Sequence, residues 1–173
     1  MKKLKVSVVG GDIGKQKVDA LITAINSGGM WWGGIDGVIQ RLAGNHFHEQ
    51  ATAAMPLSHE KIIVARGGDY QHNGKFQNVV FVVDDLEGPL HSIVYKGLSS
   101  AAEAGFKVVA LPTIRMGVML GAVEKTREEA VVEMALGVKA YTEKYSDEPI
   151  DEIIFVVYGD SALENLLTNA LAV

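Results

Sequence analysis

The 173-residue sequence contains no cysteine. That absence removes a disulfide framework, a thiolate nucleophile and a cysteine-based zinc site together. It fits a reducing compartment, and a cytoplasmic location is expected. Long apolar runs are missing too. The basic start Met1-Lys2-Lys3-Leu4-Lys5 leads into a stretch that stops before Gly10, too short for a signal-peptide core or a membrane span. Positive charge is scarce, with 16 Lys and Arg against 21 Asp and Glu and a formal net charge of −5. This argues against a nucleic-acid partner, which needs clustered cations along a backbone track. It leaves room for a small phosphorylated ligand, which a few backbone N–H groups hold without net positive charge. Several catalytic signatures are also lacking. Residues 10–15 imitate a P-loop, but Val9 stands where its first glycine belongs and Gln16 replaces the magnesium-binding Ser or Thr. No G-x-G-x-x-G fingerprint follows a strand, and no G-x-S-x-G elbow occurs. The five histidines are scattered; His46 and His48 fall two apart on an expected helix, where they do not share a face. Neither a metal site nor a cofactor is expected.

The chain is 48% hydrophobic and 21% charged, the balance of an ordinary globular protein, and its length suits a single domain over 1–173. Six apolar, β-branched runs stand at 4–9, 20–25, 61–65, 79–83, 108–111 and 153–158. Near-continuous Val/Ile runs such as Val79-Val80-Phe81-Val82-Val83 are those of strands covered on both faces. Helical spacing predicts a helix over 35–43, and another from Pro89 carrying Leu90, Ile93, Val94, Leu98 and Ala101 and closing at Gly105. A third is expected over about 123–145, and a last one capped by Asp160. Alternating strands and helices give a three-layer α/β/α domain with a mixed, largely parallel sheet of about six strands. The glycine-bearing stretch 67–74 is expected as the turn of a hairpin.

The most informative segment is Asn26-Ser27-Gly28-Gly29-Met30-Trp31-Trp32-Gly33-Gly34-Ile35-Asp36-Gly37. It joins an expected strand to an expected helix, so its N–H groups and the helix dipole converge into an anion cradle. Asn26 closes the strand and Asp36 opens the helix. The plainer reading makes Asn26 a turn residue and Asp36 a favourable charge at a helix N-terminus. A second glycine-bearing loop follows a later strand, Pro112-Thr113-Ile114-Arg115-Met116-Gly117-Val118-Met119-Leu120-Gly121. Ligands of open α/β sheets bind beyond the strands' carboxyl ends, so two such loops can pinch one diphosphate.

Taken together, these segments resemble the macro domain, an ADP-ribose-binding module. Gly11-Asp12-Ile13-Gly14 is similar to its opening Gly-Asp-Ile-Thr, and Thr23-Ala24-Ile25-Asn26 to its Asn-Ala-Ala-Asn. Gly33-Gly34-Ile35-Asp36-Gly37 resembles its glycine run with Val-Asp-Gly, and Leu42-Ala43-Gly44 its helix end. The ten-residue step from Asn26 to Asp36 is similar to that of the hydrolytic MacroD-like branch. The resemblance implies that Asp12 accepts from the adenine amino group, that Ile13 packs beside the base, and that Asn26 binds the distal ribose. N–H groups of Gly33, Gly34 and Ile35 on one side, and of Met116, Gly117 and Val118 on the other, would hold the diphosphate. Asp36, with Asn26, would serve catalysis by promoting attack of water. Departures fall at Thr23, at Trp31 and Trp32, which either line the rim or stack on the ligand, and at Met119, where an aromatic often covers the distal ribose. Arg115 either pairs with phosphate or points to solvent. The implied function is binding of ADP-ribose, or a closely related nucleotide, and hydrolysis of mono-ADP-ribose from a modified protein or small carrier. The alternatives are a non-catalytic ADP-ribose reader and a degenerate domain used for protein contact.

Overall fold

The computed structural model describes residues 4–28, 35–116, 119–145, 147 and 149–172, with the side chain of Asp36 outside that set. Six strands form one sheet: β1 (Lys5–Gly10), β2 (Val18–Ile25), β3 (Ile62–Arg66), β4 (Phe76–Val83), β5 (Val108–Leu111) and β6 (Glu152–Val157). Their order is β1-β6-β5-β2-β4-β3. All neighbours run parallel except β3, which pairs antiparallel with β4. The hairpin expected around 67–74 is the link between those two strands. The helices are α1 (Ile35–Ala43), α2 (His46–Ala53), α3 (Leu90–Glu103), α4 (Arg127–Lys144) and α5 (Ser161–Leu171), with a short 3-10 turn at Ile13–Lys15.

Strand side chains alternate between two cores, as a period of two requires. On β2, Ala20, Ile22 and Ala24 face a cluster with α3, α4 and α5, while Leu21 and Ile25 face one with α1 and α2. On β4, Val80 and Val82 join the first cluster, and Val79, Phe81 and Val83 the second. A sheet buried on both faces explains why these strands are apolar at nearly every position. β4 starts three residues before its apolar run because Phe76 pairs with Val18 of β2. The third helix begins at Arg127, later than its periodicity suggests. Thr126 is its N-cap, accepting from the Glu129 N–H at 3.1 Å, and Glu124 is drawn elsewhere. Asp160 caps α5 as expected, accepting from the Leu163 N–H at 3.0 Å.

Helices α3 and α4 meet at a glycine: a Cβ on Gly137 would lie 2.6 Å from Val94 Cβ and 2.9 Å from the backbone oxygen of His91. Gly37, exposed on α1, has no atom of the described residues within 4 Å of its notional Cβ. Alanine in a helix interior gains up to about 1 kcal/mol over glycine, whereas overpacking a core costs about 1–3 kcal/mol. Gly37→Ala is therefore expected to raise stability in urea denaturation and Gly137→Ala to lower it. Equal effects at the two sites would refute the close approach of α3 and α4.

Candidate functional site

The parallel strands β1, β2, β5 and β6 end at one edge, where the sheet opens into a cavity of about 500 Å³. Its described lining comes from six places in the chain, one of them Arg127 at the start of α4. The turn after β1 contributes Asp12 and Ile13, β2 Thr23 and Ala24, α1 Ile35, Val38 and Arg41. The loop after β5 contributes residues 112–116 and Met119, and the end of β6 with the start of α5 contributes Tyr158 and Asp160. Of the expected site residues, Asp12, Ile13, Ile35, Arg115, Met116 and Met119 are thus brought together. Gly33, Gly34, Gly117, Val118, Trp31 and Trp32 lie outside the described residues, as does the side chain of Asp36, whose backbone sits in the first turn of α1. Asn26 is half-buried just past β2, its Oδ1 accepting from the Gly28 N–H at 3.0 Å, and it is not among the described lining.

Asp12 caps the 3-10 turn: its Oδ1 accepts the Gly14 N–H at 2.9 Å. Gly14 has no room for a side chain, since a Cβ there would stand 2.5 Å from Leu42 Cδ1 and 2.8 Å from Val38 Cγ1. The turn is thereby pressed onto α1, which fixes the carboxylate of Asp12 at the cavity mouth.

Arg115 departs from both expectations. Its guanidinium neither stands free for phosphate nor points to solvent; the residue is 5% exposed. Nε and Nη2 donate to the two oxygens of Asp84 at 2.9 and 2.7 Å, and Nη1 donates to Glu124 Oε1 at 3.0 Å and to the Gly88 carbonyl at 2.8 Å. Glu124 Oε2 accepts the Leu90 N–H at the start of α3 at 3.0 Å. Burial by itself would lower the Arg115 pKa, but hydrogen bonds and charge from Asp84, and then from Glu124, outweigh it and raise the guanidinium above its ordinary value. The sequence offered no sign of this pairing, because 31 positions separate Arg115 from Asp84.

Among the lining residues that were not expected in the site, three carry an aromatic ring or a cation. Tyr158 is 84% exposed at the rim, and Arg127 pairs with Asp160 at 2.8 Å where α4 and α5 begin. Arg41 stands on the last turn of α1. The signal for Tyr158 was an aromatic at the carboxyl end of a strand, directly before Gly159 and the cap Asp160. Elsewhere, His46 stacks on Tyr70 at 4.1 Å and approaches the Arg66 carbonyl through Nε2 at 3.1 Å, a packing role. Among the described residues, no helix is long and apolar enough to cross a membrane.

Comparison with known proteins agrees with this architecture. The family model of the macro domain matches residues 22–130. A macro domain-containing protein of Listeria monocytogenes is 28% identical over 177 residues, covering 96% of this chain and 98% of that protein. An O-acetyl-ADP-ribose deacetylase of Escherichia fergusonii is 32% identical over 126 residues, covering 67% of this chain and 70% of the relative. The Trypanosoma brucei macrodomain solved in complex with ADP-ribose superposes with a TM-score of 0.79 at 17% identity, covering 96% of this chain and 68% of that one. The chain belongs to the macro domain family.

Two outcomes follow for these groups. Arg115→Met leaves two buried carboxylates without their cation, a loss of about 3–5 kcal/mol, read as a fall in the urea midpoint. At α5, the Leu163 N–H, and less strongly Arg127, hold the Asp160 carboxyl below its ordinary value of 3.8. A depressed carboxyl contributes stability that is present above its unfolded pKa and lost as pH falls through the folded one. Asp160→Asn keeps a cap acceptor but removes the titration, so the wild-type and variant melting temperatures should converge below about pH 3.8. A gap that stays constant with pH would exclude this role.

Proposed function

We propose that this protein binds ADP-ribose, or a closely related nucleotide, in the cavity at the carboxyl edge of the sheet, and hydrolyses mono-ADP-ribose from a modified target or small carrier. The observation that carries the reading is the convergence of the turn after β1, the end of β2, the start of α1 and the loop after β5 on one cavity of about 500 Å³, within the range of sites that enclose small ligands. In this reading Asp12 accepts from the adenine amino group with its remaining oxygen, while Ile13 and the exposed ring of Tyr158 flank the base. The diphosphate donors in this proposal are the backbone N–H groups of Gly33, Gly34 and Ile35 together with those of Met116, Gly117 and Val118, and the start of α1 adds its dipole. Arg115 takes part through its backbone, since its side chain is committed to Asp84 and Glu124. Asn26 binds the distal ribose, and Met119 packs near it.

Hydrolysis then needs one water. It adds at the anomeric carbon as the bond to the modified group breaks, and positive charge develops on the sugar in between. Asp36 orients that water and takes its proton, and the diphosphate stabilises the charge. The Escherichia fergusonii relative, named for deacetylating O-acetyl-ADP-ribose, supports hydrolysis of a group carried on an ADP-ribose ligand. The protein side of the substrate, an ADP-ribosylated chain, belongs to the same proposal.

Calorimetry with ADP-ribose, paired with release of ADP-ribose from a mono-ADP-ribosylated protein, tests both halves. Asp12→Ala should weaken ADP-ribose by about 10-fold or more, the worth of one charge-assisted hydrogen bond, and leave ribose-5-phosphate unaffected. Asp36→Ala should leave affinity within a few-fold and reduce turnover by about 10²–10⁴-fold. Wild-type protein that binds without turnover returns the reader function, and one that binds no adenine nucleotide removes the proposal.

A further inference from the structure

Both ligand loops hang from one dipeptide. Where β4 ends, the Asp84 N–H donates to the Ile25 carbonyl at 2.7 Å, carrying the ladder with β2 one residue further. The Asp84 carboxylate, fully buried, holds Arg115 through two hydrogen bonds at 2.7 and 2.9 Å, so it anchors the loop after β5. Asp85 Oδ1 accepts the Ser27 N–H at 2.8 Å, so the next residue anchors the start of the glycine loop after β2. The Asp85 N–H is itself held by His59 Nδ1 at 3.0 Å.

Backbone strain gathers at the same place. Among the described residues, four other than glycine have positive φ, and three of them surround this dipeptide. Leu86, at φ 61°, donates its N–H to Asp84 Oδ1 at 3.0 Å. Glu60, at φ 69°, donates to the Val83 carbonyl at 2.7 Å, and its carboxylate contacts the Ser92 hydroxyl. Arg115 is the third, at φ 65°. Side chains with a Cβ adopt this conformation at a cost that the surrounding contacts must offset, and such positions concentrate at ligand-gripping sites.

We propose that Asp84, Asp85 and Arg115 form a brace that sets the spacing between the two loops, making them positioning residues for the diphosphate. This inference rests on the ADP-ribose reading above. A ligand whose two phosphates are gripped from opposite sides is sensitive to that spacing. A ligand with one phosphate is not. Asp85 acts on the first loop through the Ser27 N–H, and Arg115 acts on the second through its own strained backbone. Neither side chain has to touch the ligand.

The test compares ADP-ribose with AMP by calorimetry on wild type, Asp85→Ala, Asp85→Asn and Arg115→Lys. A displaced loop that forfeits one hydrogen bond to the ligand costs about 10-fold in affinity. We expect Asp85→Ala and Arg115→Lys each to lose at least about 10-fold in ADP-ribose affinity, with AMP nearly unchanged. Asp85→Asn retains an acceptor for the Ser27 N–H and should recover most of the loss. Because Asp85 is only half-buried, its variants keep the test decisive where Arg115→Lys fails to fold. Equal losses for both ligands, or no loss for either, overturn the brace while leaving the ADP-ribose reading intact. Wild-type protein that binds neither ligand overturns the reading, and the brace's role with it.

Discussion

The ion cluster of Arg115 with Asp84 and Glu124 is the constraint on which the site's geometry depends. Burying charges is repaid only when nearly every donor and acceptor finds a partner. Here the guanidinium makes four hydrogen bonds, and Glu124 gains a fifth from the Leu90 N–H. The partners come from the end of β4, the link to α3, the first turn of α3 and the segment before α4. None of these can move alone without stranding a buried charge. An interaction of that kind holds a loop in one place more firmly than apolar packing, because partial loss is penalised more than proportionately.

The three-layer core supplies the platform for the cluster. β2 and β4 are buried on both faces, and their ladder is the longest parallel pairing in the sheet, running from Val18 with Phe76 to Ile25 with Val83. It delivers Asn26 and Asp84 side by side at the carboxyl edge. The one antiparallel strand, β3, lies beyond β4 and leaves that arrangement untouched. Its contribution is the preceding turn, where His59 and Glu60 brace the β4 end from outside. Stability and site geometry thus meet at one strand terminus.

Much of the fold was legible in the sequence because burial on two faces writes a strong signal. A strand with no solvent-facing side reads as an unbroken β-branched run, and all six runs became strands. Helix limits were legible where chemistry marks them: Asp160 caps α5, and α3 follows Pro89. They were less legible where tertiary demands intervened. The start of α4 gave way at Glu124, whose carboxylate serves Arg115 instead of continuing the helical pattern.

Local spacing alone was enough to place Asp12 and Ile13 on a turn after one strand and Asn26 at the end of another. These features are set within a few residues, by backbone freedom and capping, and need no distant partner. Only the tertiary structure decided what Arg115 does. Its charged partners lie 9 and 31 positions away, and a charged side chain on a loop at the sheet's carboxyl edge reads identically whether it faces phosphate, solvent or a buried carboxylate. The same holds for Tyr158, Arg41 and Arg127, which share one cavity because the sheet order β1-β6-β5-β2 brings their elements together. Local composition determines the elements and their ends; the pairing of charges across the fold determines which side chains remain to face the cavity.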